Sequence, residues 1–120
     1  MREIKTNNPE LIQLIRLLRK ACKEKQAAIW LDLAEDLSCS RSRSVVVNLG
    51  KISRNTKRSE TVVVPGKVLG TGNMNHAVTV ASFGASQKAK EKIGLAKGTY
   101  ISIPELLEKN PKGTNVRIIR

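Results

Sequence analysis

Three acidic side chains, Asp32, Glu35 and Asp36, fall close together in a stretch with helical patterning, where residues three or four apart share a face. Carboxylates so grouped can hold a divalent metal for phosphodiester cleavage. No distant carboxylate cluster completes a two-metal site, so a solvated or salt-bridged helix face is the simpler reading. Cys22 and Cys39 form no Cys-x-x-Cys unit, and with His76 as the only histidine they make no zinc site. They read as core or near-core thiols, without disulfide or metal. His76, after Asn73, Met74 and Asn75, reads as a solvated turn residue. The run Pro65-Gly66-Lys67-Val68-Leu69-Gly70-Thr71-Gly72 combines glycines with one lysine, and glycine lets backbone amides approach an anion closely. Its lysine directly follows the first glycine and no Gly-Lys-Ser/Thr ends it, so it is not a nucleotide P-loop. Asn73, Met74 and Asn75 follow Gly70-Thr71-Gly72, so a dinucleotide fingerprint lacks its third glycine. A tight strand-to-strand turn that also offers backbone contacts is expected. No catalytic residue, metal site, cofactor or small-molecule substrate is expected.

The chemistry that the chain does advertise is cationic. Its 120 residues hold 22 Lys plus Arg against 10 Asp plus Glu, a formal charge of +12, which demands a polyanionic partner. No acid occurs from Leu37 to Ser59, and Ser38-Cys39-Ser40-Arg41-Ser42-Arg43-Ser44 alternates small residues with arginines. Guanidinium forks at Arg41 and Arg43 fit phosphate oxygens, and serines allow the strand to come near; a flexible basic linker is the alternative. Val45, Val46, Val47, Leu49 and Ile52 form an apolar patch that should dock on the core and leave Lys51, Arg54, Lys57 and Arg58 outside. Trp30, Phe83 and Tyr100 are the only aromatics, too few for the stacking platform of single-strand binders. Recognition of a folded RNA by its phosphates and 2′-hydroxyls is the better fit. Eight neutralised phosphates would give a salt slope of about −6 to −7.

These groups need a scaffold. The chain suits one domain, and 40% hydrophobic residues supply a modest core. Asn8, Pro9 and Glu10 start a helix, with Leu11, Ile15, Leu18 and Cys22 on its apolar side. A second, from about Gln26 to Leu37, should fold back on it. Thr61–Val64 reads as a buried strand stopped by Pro65 and Gly66, and Ala77–Phe83 as another that Gly84 breaks. Ser86 caps a short helix through Ile93, with Lys88, Lys90 and Lys92 exposed, and Gly94 ends it. Tyr100 and Ile101 suggest a short extended piece. Ser102-Ile103-Pro104-Glu105 is a capping box for a short helix closed by Asn110-Pro111. Val116–Arg120 alternates like an edge strand. The expectation is a single α/β domain over residues 1–120: an N-terminal helical pair to residue 40, then a mixed core of irregular strand-strand-helix units over 41–120. No apolar run approaches a membrane span and no secretory leader pattern opens the chain, which predicts a cytosolic protein without membrane partners.

Val47-Asn48-Leu49-Gly50-Lys51-Ile52, Val62-Val63-Val64-Pro65-Gly66-Lys67-Val68-Leu69-Gly70-Thr71-Gly72 and Val78-Thr79-Val80-Ala81 resemble large-subunit ribosomal protein eighteen of archaea and eukaryotes, a relative of bacterial large-subunit protein fifteen. The likeness runs from Asn8-Pro9-Glu10-Leu11 to the last residues, and the brief length suits the archaeal form. The resemblance implies a non-enzymatic constituent of the large ribosomal subunit, bound to its rRNA beside neighbouring ribosomal proteins. It implies contacts at Arg41 and Arg43, at Lys51, Arg54, Lys57 and Arg58, and at the turn with Gly66, Lys67, Gly70 and Gly72; the basic helix adds Lys88. The alternative is a free-standing basic chromatin or RNA-chaperone protein. Replacing Arg41 and Arg43 together by alanine is expected to weaken RNA binding and lower the salt slope by about 1 to 2, with the helical circular dichroism signal kept; an unchanged slope would show the segment solvated.

Overall fold

A computed structural model describes residues 9–37 and 45–119, without the side chain of Val45. Pro9 at the first helical turn and Glu10 beside the positive end of the dipole open α1 (Pro9–Lys25), which buries Leu14, Ile15 and Leu18. Gln26 takes a left-handed conformation, φ 53°, and reverses the chain into α2 (Ala28–Leu37), which buries Trp30, Leu33, Ala34 and Leu37. The helical pair is as expected; Asn8, its expected cap, lies outside the described residues.

β1 (Val45–Asn48), α3 (Leu49–Asn55), β2 (Thr61–Leu69), β3 (Thr79–Ala85), α4 (Gln87–Leu95), β4 (Thr99–Ser102), α5 (Ile103–Lys109) and β5 (Val116–Ile118) follow. The Ser86 side chain accepts the Ala89 amide at 3.1 Å and that of Ser102 accepts Glu105 at 3.3 Å, the two caps read from the sequence. All strand pairs are parallel, in the order β1-β2-β3-β4, with β5 beside β2.

β2 is the central strand, and it corrects one expectation: it does not stop at Pro65-Gly66 but runs on to Leu69. Proline lacks a donor for a sheet ladder, and two features accommodate it here. Against β3, the register passes from Val64↔Ser82 to Lys67↔Gly84, a bulge of one extra residue. On the other side, β5 pairs with Thr61–Val63 and β1 with Gly66–Leu69, so Pro65 falls in the gap between partners. Likewise Gly84 does not break β3, which continues to Ala85, and Gly94 lies inside α4 rather than after it. The α4 stop comes at Lys97, φ 65°, with the Lys97 and Gly98 amides donating to Gly94 and Ile93 carbonyls.

Strand alternation divides the core into two layers. Val63, Ala81 and Ile101 face α1, α2 and α5; Val62, Val64 and Val80 face α3 and α4, with Val47, Leu49, Ile52, Ala89 and Ile93. The Trp30 indole fills the first layer and donates to the Pro111 carbonyl at 2.7 Å, which ties the turn before β5 to α2. Gly113 sits against this ring with φ 68°; a Cβ there would come within 2.5 Å of Ile29 Cγ2.

Candidate nucleic-acid interface

Because every strand points the same way, the sheet has two distinct ends. At the end where strands finish, β1 leads into α3, β2 into the Gly70–Gly72 loop, and β3 into α4. The loop is not the tight strand-to-strand turn expected from its glycines. Parallel neighbours require the chain to return to the far end of the sheet, and residues 70–78 do so without a helix. This return segment runs along α3: the Gly50 amide donates to the Thr71 carbonyl at 3.1 Å, the Asn75 amide to Ser53 Oγ at 3.3 Å, and His76 meets Thr56.

The two glycines have separate reasons. Gly70 is buried against α4, and a Cβ on it would lie 2.9 Å from both Cβ and Cγ of Lys88; its φ is not positive. Gly72 has φ 88°, and a Cβ on it would stand 2.7 Å from the Gly50 backbone. Lys92 closes the corner by donating to the Gly70 and Gly72 carbonyls, each at 2.7 Å. Charge-assisted bonds of this kind fix a loop strongly, so Lys92 is half-buried and engaged, not the free surface lysine expected. Its signal in the sequence, one residue among several lysines, gives no hint of this.

Around that corner stand Lys51 and Arg54 on α3 and Lys88 on α4, all exposed; Lys67, next to Val68 of the α3–α4 layer, is exposed on the other face of β2. Arg54 leans back toward Gly50, its Nη1 3.3 Å from where a Cβ on that residue would lie. Gly66 is buried in the bulge. Lys57 and Arg58 are also exposed, but they precede β2 and so lie at the opposite end of the sheet. The sequence grouped Lys51, Arg54, Lys57 and Arg58 together; α3, about 10 Å long at 1.5 Å per residue, separates them. Arg41, Arg43 and Cys39 lie outside the described residues. The apolar patch docks as expected at Val47, Leu49 and Ile52, while Val46 is 54% exposed.

The remaining candidates resolve into structure. Asp32 is exposed while Glu35 and Asp36 are half-buried, and among the described residues no three His, Cys, Asp or Glu side chains converge on a metal position. Cys22 is a half-buried thiol packed against the α1–α2 layer. His76 is not a solvated turn residue: it is half-buried, and its Nε2 lies 2.8 Å from Thr56 Oγ1. That hydroxyl donates to the Ile52 carbonyl at 2.7 Å, so it accepts from the imidazole, which fixes the Nε2–H tautomer. Arg117 projects as expected from β5, donating to the Asn55 carbonyl and pairing with Glu60 at 3.5 Å.

The sequence matches, from Trp30 in α2 to Ile101 in β4, the family described as ribosomal proteins 50S-L15, 50S-L18e and 60S-L27A (residues 30–101). Similar proteins include large ribosomal subunit protein eL18 of Methanospirillum hungatei, 47% identical over 114 residues, 95% of this chain and 94% of the relative. The protein of that name from Methanothermobacter thermautotrophicus is 44% identical over 119 residues, 99% of this chain and 98% of the relative. That from Pyrobaculum aerophilum is 43% identical over 112 residues, 93% and 92% of the two chains. The matched segment contains the whole glycine corner.

Gly72→Ala is expected to cost about 2 kcal/mol or more, from left-handed strain plus the encounter with Gly50, and Gly70→Val a similar amount by displacing α4. Thermal unfolding of both variants checks this; wild-type melting temperatures would show that the corner is loose.

Proposed function

The chain belongs to the family of ribosomal proteins 50S-L15, 50S-L18e and 60S-L27A, and from that premise we propose that it is a structural constituent of the large ribosomal subunit that holds large-subunit rRNA through phosphate and backbone contacts. It is a structural component, not an enzyme. Neighbouring ribosomal proteins complete its surroundings, and the translating ribosome in the cytoplasm is its place. Among the described residues no helix is long and apolar enough to cross a membrane.

The observation that carries this reading is the glycine corner. Three chain segments meet there at backbone contact, one lysine is consumed in holding them, and Lys51, Arg54 and Lys88 stand outside on that frame. Cations on a fixed frame can match the spacing of phosphates in a folded RNA, with less entropy lost on binding than cations on a loose chain. Aromatic side chains offer no stacking platform: Trp30 is fully buried, Tyr100 is half-buried with its OH 2.9 Å from Ser82 Oγ, and Phe83, 39% exposed, is a single ring at the surface. Shape and phosphate recognition therefore remain the means of binding.

Sedimentation of cell extract through a sucrose gradient at moderate salt tests the assignment. The protein is expected in the large-subunit and intact-ribosome fractions. Recovery chiefly at the top of the gradient would contradict it and favour the free-standing nucleic-acid-binding protein.

A further inference from the structure

The cations at the other end of the sheet do not belong to the glycine corner. Strands enter there in the spatial order β5, β2, β3, β4. Lys112 lies on the connection entering β5, Lys57 and Arg58 on that entering β2, and Lys97 on that entering β4; all four are exposed. At about 4.8 Å per strand, they form a row roughly 14 Å wide. Glu60, the acid beside them, is turned inward: it accepts the Lys57 amide at 2.6 Å and pairs with Arg117, so it leaves the row's charge outside. Glu108 and Lys109 at the end of α5 offset each other.

Cations after helix C-termini complement the helix dipole, and α3, α4 and α5 all end here. That effect fades within the last turn, however, and Arg58 and Lys112 each stand three residues beyond their helix. β2, about 26 Å long at 3.3 Å per residue, has the corner at one end and the row at the other, although Lys57 stands only three residues after Arg54, close enough for their fields to overlap.

We propose that this row is a second RNA-contact surface, and that the protein holds two separate segments of the folded RNA, one at each end of its sheet. The inference rests on the proposed function and adds that one contact face is not enough. A neighbouring acidic protein seated on the row is the outcome that competes with it.

Two measurements on the full-length chain bound to large-subunit rRNA transcribed in vitro decide it. An iron chelate is tethered at Thr114→Cys, beside Lys112, or at Gln87→Cys, beside Lys88, each in a Cys22→Ser/Cys39→Ser background, and hydroxyl-radical cleavage of the RNA is mapped. Two cleavage sets in different helical elements are expected. In parallel, Lys57→Gln/Arg58→Gln/Lys97→Gln/Lys112→Gln is expected to lower the salt slope of binding by about 3 to 4, from 0.9 per lost phosphate contact, with an unchanged melting profile. Cleavage from position 87 alone, with the slope of the quadruple variant intact, would overturn the second surface and leave the ribosomal assignment standing. Absence of rRNA binding by the wild-type chain would instead remove the function on which the inference rests.

Discussion

The arrangement depends on one close approach of backbone to backbone. Gly72 lies so near Gly50 that a methyl group on it would stand 2.7 Å from main-chain atoms. That contact lets the segment leaving β2 lie against α3 instead of looping into solvent, and Lys92 then fixes both glycine carbonyls from α4. Without it the chain would have no short route back to the start of β3, and Lys51, Arg54 and Lys88 would have no common frame. Glycines that look like a phosphate-binding loop are here occupied with internal packing.

The helix-free return between β2 and β3 is the least ordinary part of the fold. Parallel neighbours are usually joined through a helix that covers the sheet. Here residues 71–77 lie along α3, and their backbone groups pair with Gly50, the Ser53 hydroxyl and Ser59. The Thr56 hydroxyl, already donating to Ile52, receives His76. The single histidine is thus a fastening of the return segment, with its proton placed by the bond it makes.

Much of the scaffold was legible because local chemistry determined it. Pro9 and Glu10 mark the start of α1, the Ser86 and Ser102 hydroxyls cap their helices, and Val62, Val63 and Val64 form a strand buried on both faces. What was not legible depended on partners distant in sequence. Pro65 looks like a strand terminator until β5 and β1 are seen to leave a gap beside it. Gly84 and Gly94 look like breaks but are carried through by the pairing of Gly84 with Lys67 of β2 and by the Lys97 turn. For the site, the exposure of Lys51, Arg54, Lys57 and Arg58 followed from the apolar patch around them, and that of Lys88 from its place on a capped helix. Their division between two ends of the sheet did not, because only the strand direction reveals it, and the role of Lys92 required the carbonyls it meets.

The central claim is that rigidly placed cations grip RNA phosphates. The dependence of affinity for large-subunit rRNA on salt, from low to several hundred millimolar, tests it most directly. A linear fall in log affinity against log salt with a slope near −6 or steeper is the result the account predicts. A nearly flat dependence, with tight binding surviving in high salt, would contradict it.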